Sequence, residues 1–128
     1  MEAIGRADAM VVCPSNPVVS TGPILAVAGI RPAVAARPVV GISPIVGGRP
    51  LAGMADRLMP VVGLEVSAVG AGRAYDGLLD AWVIDRADAH LADRARAELG
   101  VPVTVTDTVM ADDDAAAALA RTALDTLA

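Results

Sequence analysis

Residues 81–106 read AWVIDRADAHLADRARAELGVPVTVT. Ala81–Ile84 is a short, unbroken apolar run closed by Asp85, the pattern of a strand buried on both faces. Ala87–Leu99 follows as a helix, with Gly100 as its C-terminal stop. Val101–Thr106 (VPVTVT) reads as the next strand. A strand, a helix and a second strand in succession form the unit from which parallel sheets are wound.

The same alternation extends upstream. Ala9–Cys13 (AMVVC) is a short apolar run, read as a strand buried on both sides, that ends in the turn-rich PSNP, and Pro38–Ser43 (PVVGIS) is another strand. Between them, residues 22–36 are rich in Ala, Leu and Ile but punctuated by Gly29 and Pro32, so broken helical turns are expected, with Pro32 opening a short helix. Leu51–Val62 carries Leu51, Met54, Ala55, Leu58 and Met59 at the spacing of one helix face. Ser67–Asp76 predicts a further short helix. Downstream, Ala115–Leu127 predicts a closing helix capped by Asp112, Asp113 or Asp114, where carboxylates also suit the helix dipole. The predicted fold class is therefore α/β: an open, mostly parallel, Rossmann-like sheet with helices on both faces, in a single domain over residues 1–128.

Composition narrows the function. Apolar residues make up 55% of the 128, but aromatic residues only 2%, with no Phe. The core must come from Val, Ala, Leu, Ile and Met. All 10 basic residues are Arg, against 15 acidic ones, for a net charge of −5. That balance opposes nucleic-acid backbone binding, which needs clustered basic side chains. One Trp and one Tyr give no stacking platform for single strands. Cys13 and His90 are each alone of their kind, which excludes a disulfide framework and multi-Cys or multi-His metal sites. Mean hydropathy is high at +0.56. Yet the longest uncharged stretch, Ala9–Ile30, contains Pro14, Pro17, Pro23 and Asn16, which oppose a spanning helix. MEAIGRAD at the N-terminus lacks the features of a signal peptide. A cytoplasmic protein that binds neither membrane nor nucleic acid is expected.

Open α/β sheets bind ligands beyond the carboxyl ends of their strands, which directs attention to PSNPVVS, SPIVGGRP, IDRAD and TDTVMADDD. Pro14 and Pro17 stiffen the loop carrying Ser15 and Asn16, with Ser20 nearby. Those polar side chains are placed either to meet a ligand or to bond their own turn. After the next strand come Ser43, Gly47, Gly48 and Arg49. Open glycine amides beside a cation suit an anion; the alternative is a plain glycine-rich connection. This is not a nucleotide-binding Walker loop, because Met54 stands where Lys is required. Gly41-Ile42-Ser43-Pro44 lacks the second glycine of a nucleophile elbow. Gly70-Ala71-Gly72 starts like a dinucleotide fingerprint, but Tyr75 occupies the third glycine position. Asp85, Asp88 and Asp107 follow strands and are read as caps in preference to ribose or Mg²⁺ ligands. Cys13 is read as a small buried hydrophobe.

Several of these strings, in this order, resemble the 2-phospho-L-lactate transferase family, the CofD-type enzymes. They are Val12-Cys13-Pro14-Ser15-Asn16-Pro17 with Ser20 and Gly22-Pro23-Ile24-Leu25; Ile42-Ser43-Pro44-Ile45-Val46-Gly47-Gly48; Gly53 with Ala55-Asp56; and Thr106-Asp107-Thr108-Val109-Met110. The resemblance covers only the C-terminal half of such enzymes. The front half, with its GGTGG-type nucleotide loop, is absent from this sequence, and Met54 replaces a common Pro. The resemblance implies a transferase of coenzyme F-420 biosynthesis. Such an enzyme moves a phospholactyl or phosphoenolpyruvyl group from a guanosine-diphospho donor to the deazaflavin Fo and releases GMP. The Lys-free, Ala-, Arg- and Val-rich composition points to a GC-rich source; in an actinobacterium the phosphoenolpyruvyl version is implied.

The resemblance further implies Mg²⁺, with ligands outside this chain. From the position of these motifs at the strand ends, Ser15, Asn16, Ser20, Ser43, Gly47, Gly48 and Arg49 are expected to face substrate or nucleotide. The expected partners are small substrates and either a second copy of this chain or a separate N-terminal half. On this expectation the chain alone is inactive. The competing reading is a non-catalytic α/β binding module, a degenerate or split half of such an enzyme.

Overall fold

The computed structural model describes residues 1–128. Four strands form one sheet: β1 (Met10–Val12), β2 (Val39–Ile42), β5 (Ala81–Asp85) and β6 (Val103–Thr106). Their order is β1-β2-β5-β6 and every pairing is parallel. Each strand therefore lies beside its predecessor in the same direction. Right-handed crossovers then put every connection on one face. That face carries α2 (Gly22–Ala26), α3 (Ile30–Ala35), α4 (Ala55–Leu58), α5 (Ala68–Arg73) and α6 (Ala92–Leu99). The opposite face is covered by α7 (Asp113–Thr126), whose Leu119 and Ala123 pack on Val40, Ile42, Ala81 and Val83. The Rossmann-like parallel sheet with helices on both faces is present.

The larger core lies on the crossover face and centres on Trp82, which is fully buried. Its indole N–H donates to the Ala68 carbonyl at 3.0 Å, and its ring lies 6.1 Å from that of Tyr75. The neighbouring position on β2 is Gly41, where a Cβ would come within 2.5 Å of the indole. In a chain with two aromatic residues, one large ring fills the sheet face, and a glycine in the adjacent strand makes room for it.

The structure corrects three expectations. Leu51–Val62 is not one helix. A two-stranded hairpin, β3 (Ile45–Val46) with β4 (Arg49–Pro50), precedes it, Gly53 adopts φ +83°, and only Ala55–Leu58 is helical before a 3₁₀ turn at Pro60–Val62. The left-handed Gly53 breaks the helix that the apolar spacing had implied. Second, β1 is an edge strand, half-exposed rather than buried on both sides. Third, Cys13 is exposed. A short helix α1 (Glu2–Arg6) and a π-helical turn at Pro17–Thr21 are additional elements. Of the three candidate caps on the closing helix, Asp112 takes the role, accepting from the Ala115 N–H. No helix is long and apolar enough to cross a membrane.

Candidate active site

Beyond the carboxyl ends of β1, β2 and β6 lies a cleft of about 700 Å³. One wall is the loop after β1. The side-chain oxygen of Asn16 accepts hydrogen bonds from the N–H groups of Val18 (2.9 Å) and Val19 (3.3 Å) and so caps the π turn. Pro17, next in sequence, has no N–H to satisfy and starts the turn without cost. Gly22 closes it by donating to the Pro17 carbonyl, where a Cβ would approach that oxygen to 2.6 Å. Thr21 is fixed from below by the buried Tyr75, hydroxyl to hydroxyl at 2.6 Å. The wider π turn faces Ser15, Asn16, Val19 and Ser20 into the cleft. Such turns recur at functional sites.

At the end of β2, Ser43 forms the floor and is almost wholly buried. Its hydroxyl donates to the Ile45 carbonyl and accepts from the Ile45 N–H, so both capacities serve the turn itself. The third wall is Thr108, Val109 and Met110, after β6. Asp85, the last residue of β5, holds it: Oδ2 accepts from the Thr108 N–H and hydroxyl, while Oδ1 accepts from the Ala87 N–H. Burial pushes the Asp85 carboxyl up. The hydrogen bonds from Ala87 and Thr108, together with the Arg86 charge, outweigh it and hold the carboxyl below the usual aspartate value. The fourth side is Leu51, Met54 and Leu58, with Leu51 and Met54 largely exposed at the mouth.

Ser15, Asn16, Ser20 and Ser43 thus meet at one cleft. Gly47, Gly48 and Arg49 are exposed and do not line it. The open-amide expectation is corrected: the Gly47 N–H donates to the buried Asp88 carboxylate at 3.0 Å, and φ of +61° and +80° at Gly47 and Gly48 turn the β3–β4 hairpin. Asp88 therefore secures this hairpin and does not cap its own helix. The apolar spacing predicts Leu51 and Met54 on a helix face; both lie before the helix and line the cleft instead. The signal available for this was Gly53, one place before Met54. No three His, Cys, Asp or Glu side chains converge to hold a metal ion. The buried carboxylates behind the cleft walls, Asp85 and Asp88, are already engaged by N–H and hydroxyl donors, so the residues present do not fit Mg²⁺.

No charged residue lines the cleft. Its polar groups are hydroxyls and the Asn16 amide, and the rest is aliphatic or thioether. Such a surface orients uncharged groups by hydrogen bonds and packs against an apolar or flat moiety.

The model of the family described as 2-phospho-L-lactate transferase CofD matches residues 1–124. The phosphoenolpyruvate transferase of Streptomyces griseus is 50% identical over 98% of this chain, and that of Mycolicibacterium smegmatis is 46% identical over 98%. The 2-phospho-L-lactate transferase of Methanosarcina mazei is 37% identical over 94%. The match takes in 40%, 38% and 40% of those three relatives, so the chain spans about two fifths of their length. With the family's motifs forming the walls of one cleft at the strand ends, this chain belongs to the 2-phospho-L-lactate transferase CofD family.

Proposed function

We propose that this chain supplies one side of the substrate cleft of a coenzyme F-420 biosynthetic transferase, with a phosphoenolpyruvyl-diphosphoguanosine donor and the deazaflavin Fo as acceptor. The observation that carries the reading is the cleft free of charged side chains, built from the family's own motif loops beyond the strand ends. Relatives at 46–51% identity bear the name phosphoenolpyruvate transferase and the one at 37% the phospholactate name, which supports the phosphoenolpyruvyl donor.

On this reading the acceptor hydroxyl oxygen bonds to the phosphorus that carries the enolpyruvyl group. The P–O–P bridge breaks, GMP leaves with the bridging oxygen, and the hydroxyl proton is lost to the medium. Such transfers depend on positioning and charge neutralisation more than on covalent protein chemistry. Ser15, Ser20 and the Asn16 amide N–H groups orient uncharged polar groups of the substrates. Val19, Leu51, Met54, Val109 and Met110 offer surface to a ring. The diphosphate finds no cation here, so its charge, and any Mg²⁺, are handled by groups outside residues 1–128. Alone, the chain is then inactive. The reaction is placed in the cytoplasm, with partners limited to small molecules and the rest of the enzyme.

The test measures GMP release from the guanosine donor with Fo, using the chain alone and together with the separately produced remainder of the Streptomyces griseus relative. Release only with both parts is the expected result. Turnover by the chain alone would remove the division of labour, and no release by a folded complex of the two would favour a non-catalytic binding module.

A further inference from the structure

Two loops wall the cleft without belonging to the parallel sheet, and each is tied to the rest of the chain through one side chain. The β3–β4 hairpin brings Val46 and Pro50 to the cleft. Apart from its own pairing and the Ser43 turn at its root, its only hydrogen bond to the rest of the chain runs from the Gly47 N–H to Asp88. The Thr108–Met110 wall has local bonds, from the Val109 N–H to Asp107 and from the Ala111 N–H to the Val109 carbonyl. Its only hydrogen bonds beyond that loop are the two from Thr108 to Asp85.

Both acceptors sit at one turn. Asp85 ends β5, and Asp88 lies within the 3₁₀ turn Arg86–Leu91 that follows. They are 7% and 2% exposed, and neither takes part in a salt bridge. A buried carboxylate without an ion-pair partner is costly unless hydrogen bonds compensate it. The donors that do so here belong to the two walls, Thr108 and Gly47, or to the turn itself, Ala87. Ala87 also joins the two ends. Its N–H donates to Asp85, and its Cβ lies 3.9 Å from where a Cβ on Gly47 would stand. The turn is rooted in the core on both sides, by the fully buried Ile84 before it and the buried Ala92 after it.

We propose that the Asp85–Asp88 turn is a brace that fixes the two loops relative to each other, and that Asp85 and Asp88 are positioning residues for the transfer. Neither carboxylate lines the cleft, so each acts through the backbone it holds. The role in transfer rests on the function proposed above; the bracing does not. Phosphoryl transfer depends on alignment, and small displacements of the groups that hold the reactants slow it. Because Ala87 links the two anchors, releasing one should loosen both loops. Independent anchors would each release only their own.

Amide hydrogen exchange in the 128-residue chain reads the bracing at the Gly47 and Thr108 N–H groups, with the amides of β2 and β5 as the reference for global opening. Relative to that reference, Asp88→Ala should speed exchange about tenfold or more at Gly47 and at Thr108 alike, and Asp85→Asn should do the same. Asp88→Asn keeps an accepting oxygen for the single bond from Gly47 and should stay within about threefold of wild type at both sites. GMP release by the chain with the Streptomyces griseus remainder should follow the same order. We expect kcat/KM to fall about tenfold or more in Asp88→Ala and to be restored by Asp88→Asn. The double variant Asp85→Asn/Asp88→Ala should lose less than the product of the single losses, because one brace is broken twice. Should Asp85→Asn unfold, the two Asp88 variants decide alone. Exchange that rises only in the loop whose own anchor is replaced, or Asp88→Asn as impaired as Asp88→Ala, would overturn the brace. Undiminished transfer by Asp88→Ala, with both loops loosened, would overturn the positioning role. No transfer by the unaltered protein would count against the function proposed above, and exchange would still decide the brace.

Discussion

Asp85 closes β5, and Thr108 lies two residues beyond β6. A single carboxylate oxygen of Asp85 receives both the Thr108 N–H at 2.8 Å and its hydroxyl at 2.9 Å. The second oxygen receives the Ala87 N–H at 2.9 Å. One buried side chain thus ends its own strand, starts the following 3₁₀ turn and ties down the Thr108–Met110 wall of the cleft. The carboxylate accepts all three bonds; a neutral amide in its place would have to turn its NH₂ toward an N–H donor.

Asp85→Asn should therefore lower stability by about 1–3 kcal/mol, the cost of an unmet buried partner. The wild-type chain should show the matching pH effect. The folded carboxyl is held below its unfolded value, so its contribution is present above about pH 4 and is lost as pH falls through the folded value. Melting temperature measured from pH 6 down to pH 2.5 on both proteins checks this. A difference that narrows as the pH drops is expected; a constant difference would mean that Asp85 acts through packing.

Asn16 carries two separable functions. Its side-chain oxygen caps the π turn, while its NH₂ group has no partner within the chain and borders the cleft. Asn16→Ala removes both and should cost about 0.5–2 kcal/mol as a lost cap, together with any ligand contact. Asn16→Asp keeps an accepting oxygen and deletes the two donors. We expect Asn16→Asp to melt within a few degrees of wild type, and yet to impair transfer in the complex with the Streptomyces griseus remainder by tenfold or more. Transfer unchanged in Asn16→Asp would assign Asn16 to the scaffold alone.

The four strands and the closing helix were legible because unbroken apolar runs ending in turn residues admit few other conformations. Ser15, Asn16 and Ser20 were legible as cleft residues from their place after β1. Leu51 and Met54 were not: apolar residues at helical spacing look the same whether they face a core or a cleft, and only the left-handed Gly53 separates the two cases. The role of Asp88 was hidden for a different reason. It bonds Gly47, 41 positions away, and no local pattern encodes that pairing. The reason for Gly70 and Gly72 is visible only in three dimensions, where Glu65, Leu99 and Trp82 press against them.

The glycines allow a graded forecast. A Cβ on Gly70 would sit 1.9 Å from the Glu65 carbonyl oxygen, a backbone atom that cannot swing aside. Gly70→Ala should cost 3 kcal/mol or more, at or beyond the upper end of about 1–3 kcal/mol for core overpacking. Gly48 faces open space, and a side chain there meets only the strain of φ +80°. Gly48→Ala should cost about 1–2 kcal/mol. Denaturant unfolding of the two variants ranks them. A Gly48 variant as damaged as the Gly70 variant would mean that the hairpin turn has contacts beyond its own backbone.

The alkaline limb of stability should report on one residue. The chain has no Lys, and its Tyr is Tyr75, buried to 2% exposure and hydrogen-bonded to Thr21. Burial pushes the Tyr75 hydroxyl above its ordinary value, an effect only partly offset by the bond to Thr21. The unfolded chain therefore ionises first, at about pH 10, and the folded chain later. Stability from this group is complete below pH 10 and falls as the pH rises through the folded value. Tyr75→Phe should cost about 1 kcal/mol at pH 8, the net value of one hydrogen bond, because the partly exposed Thr21 can turn to water. Above pH 10 the variant should lose the steep decline and overtake the wild type. Parallel urea titrations at pH 8, 10 and 11 provide the check. Identical slopes with pH in the two proteins would mean that another group governs the alkaline limb, and that Tyr75 is not the buried anchor of the π turn that carries Ser20 to the cleft.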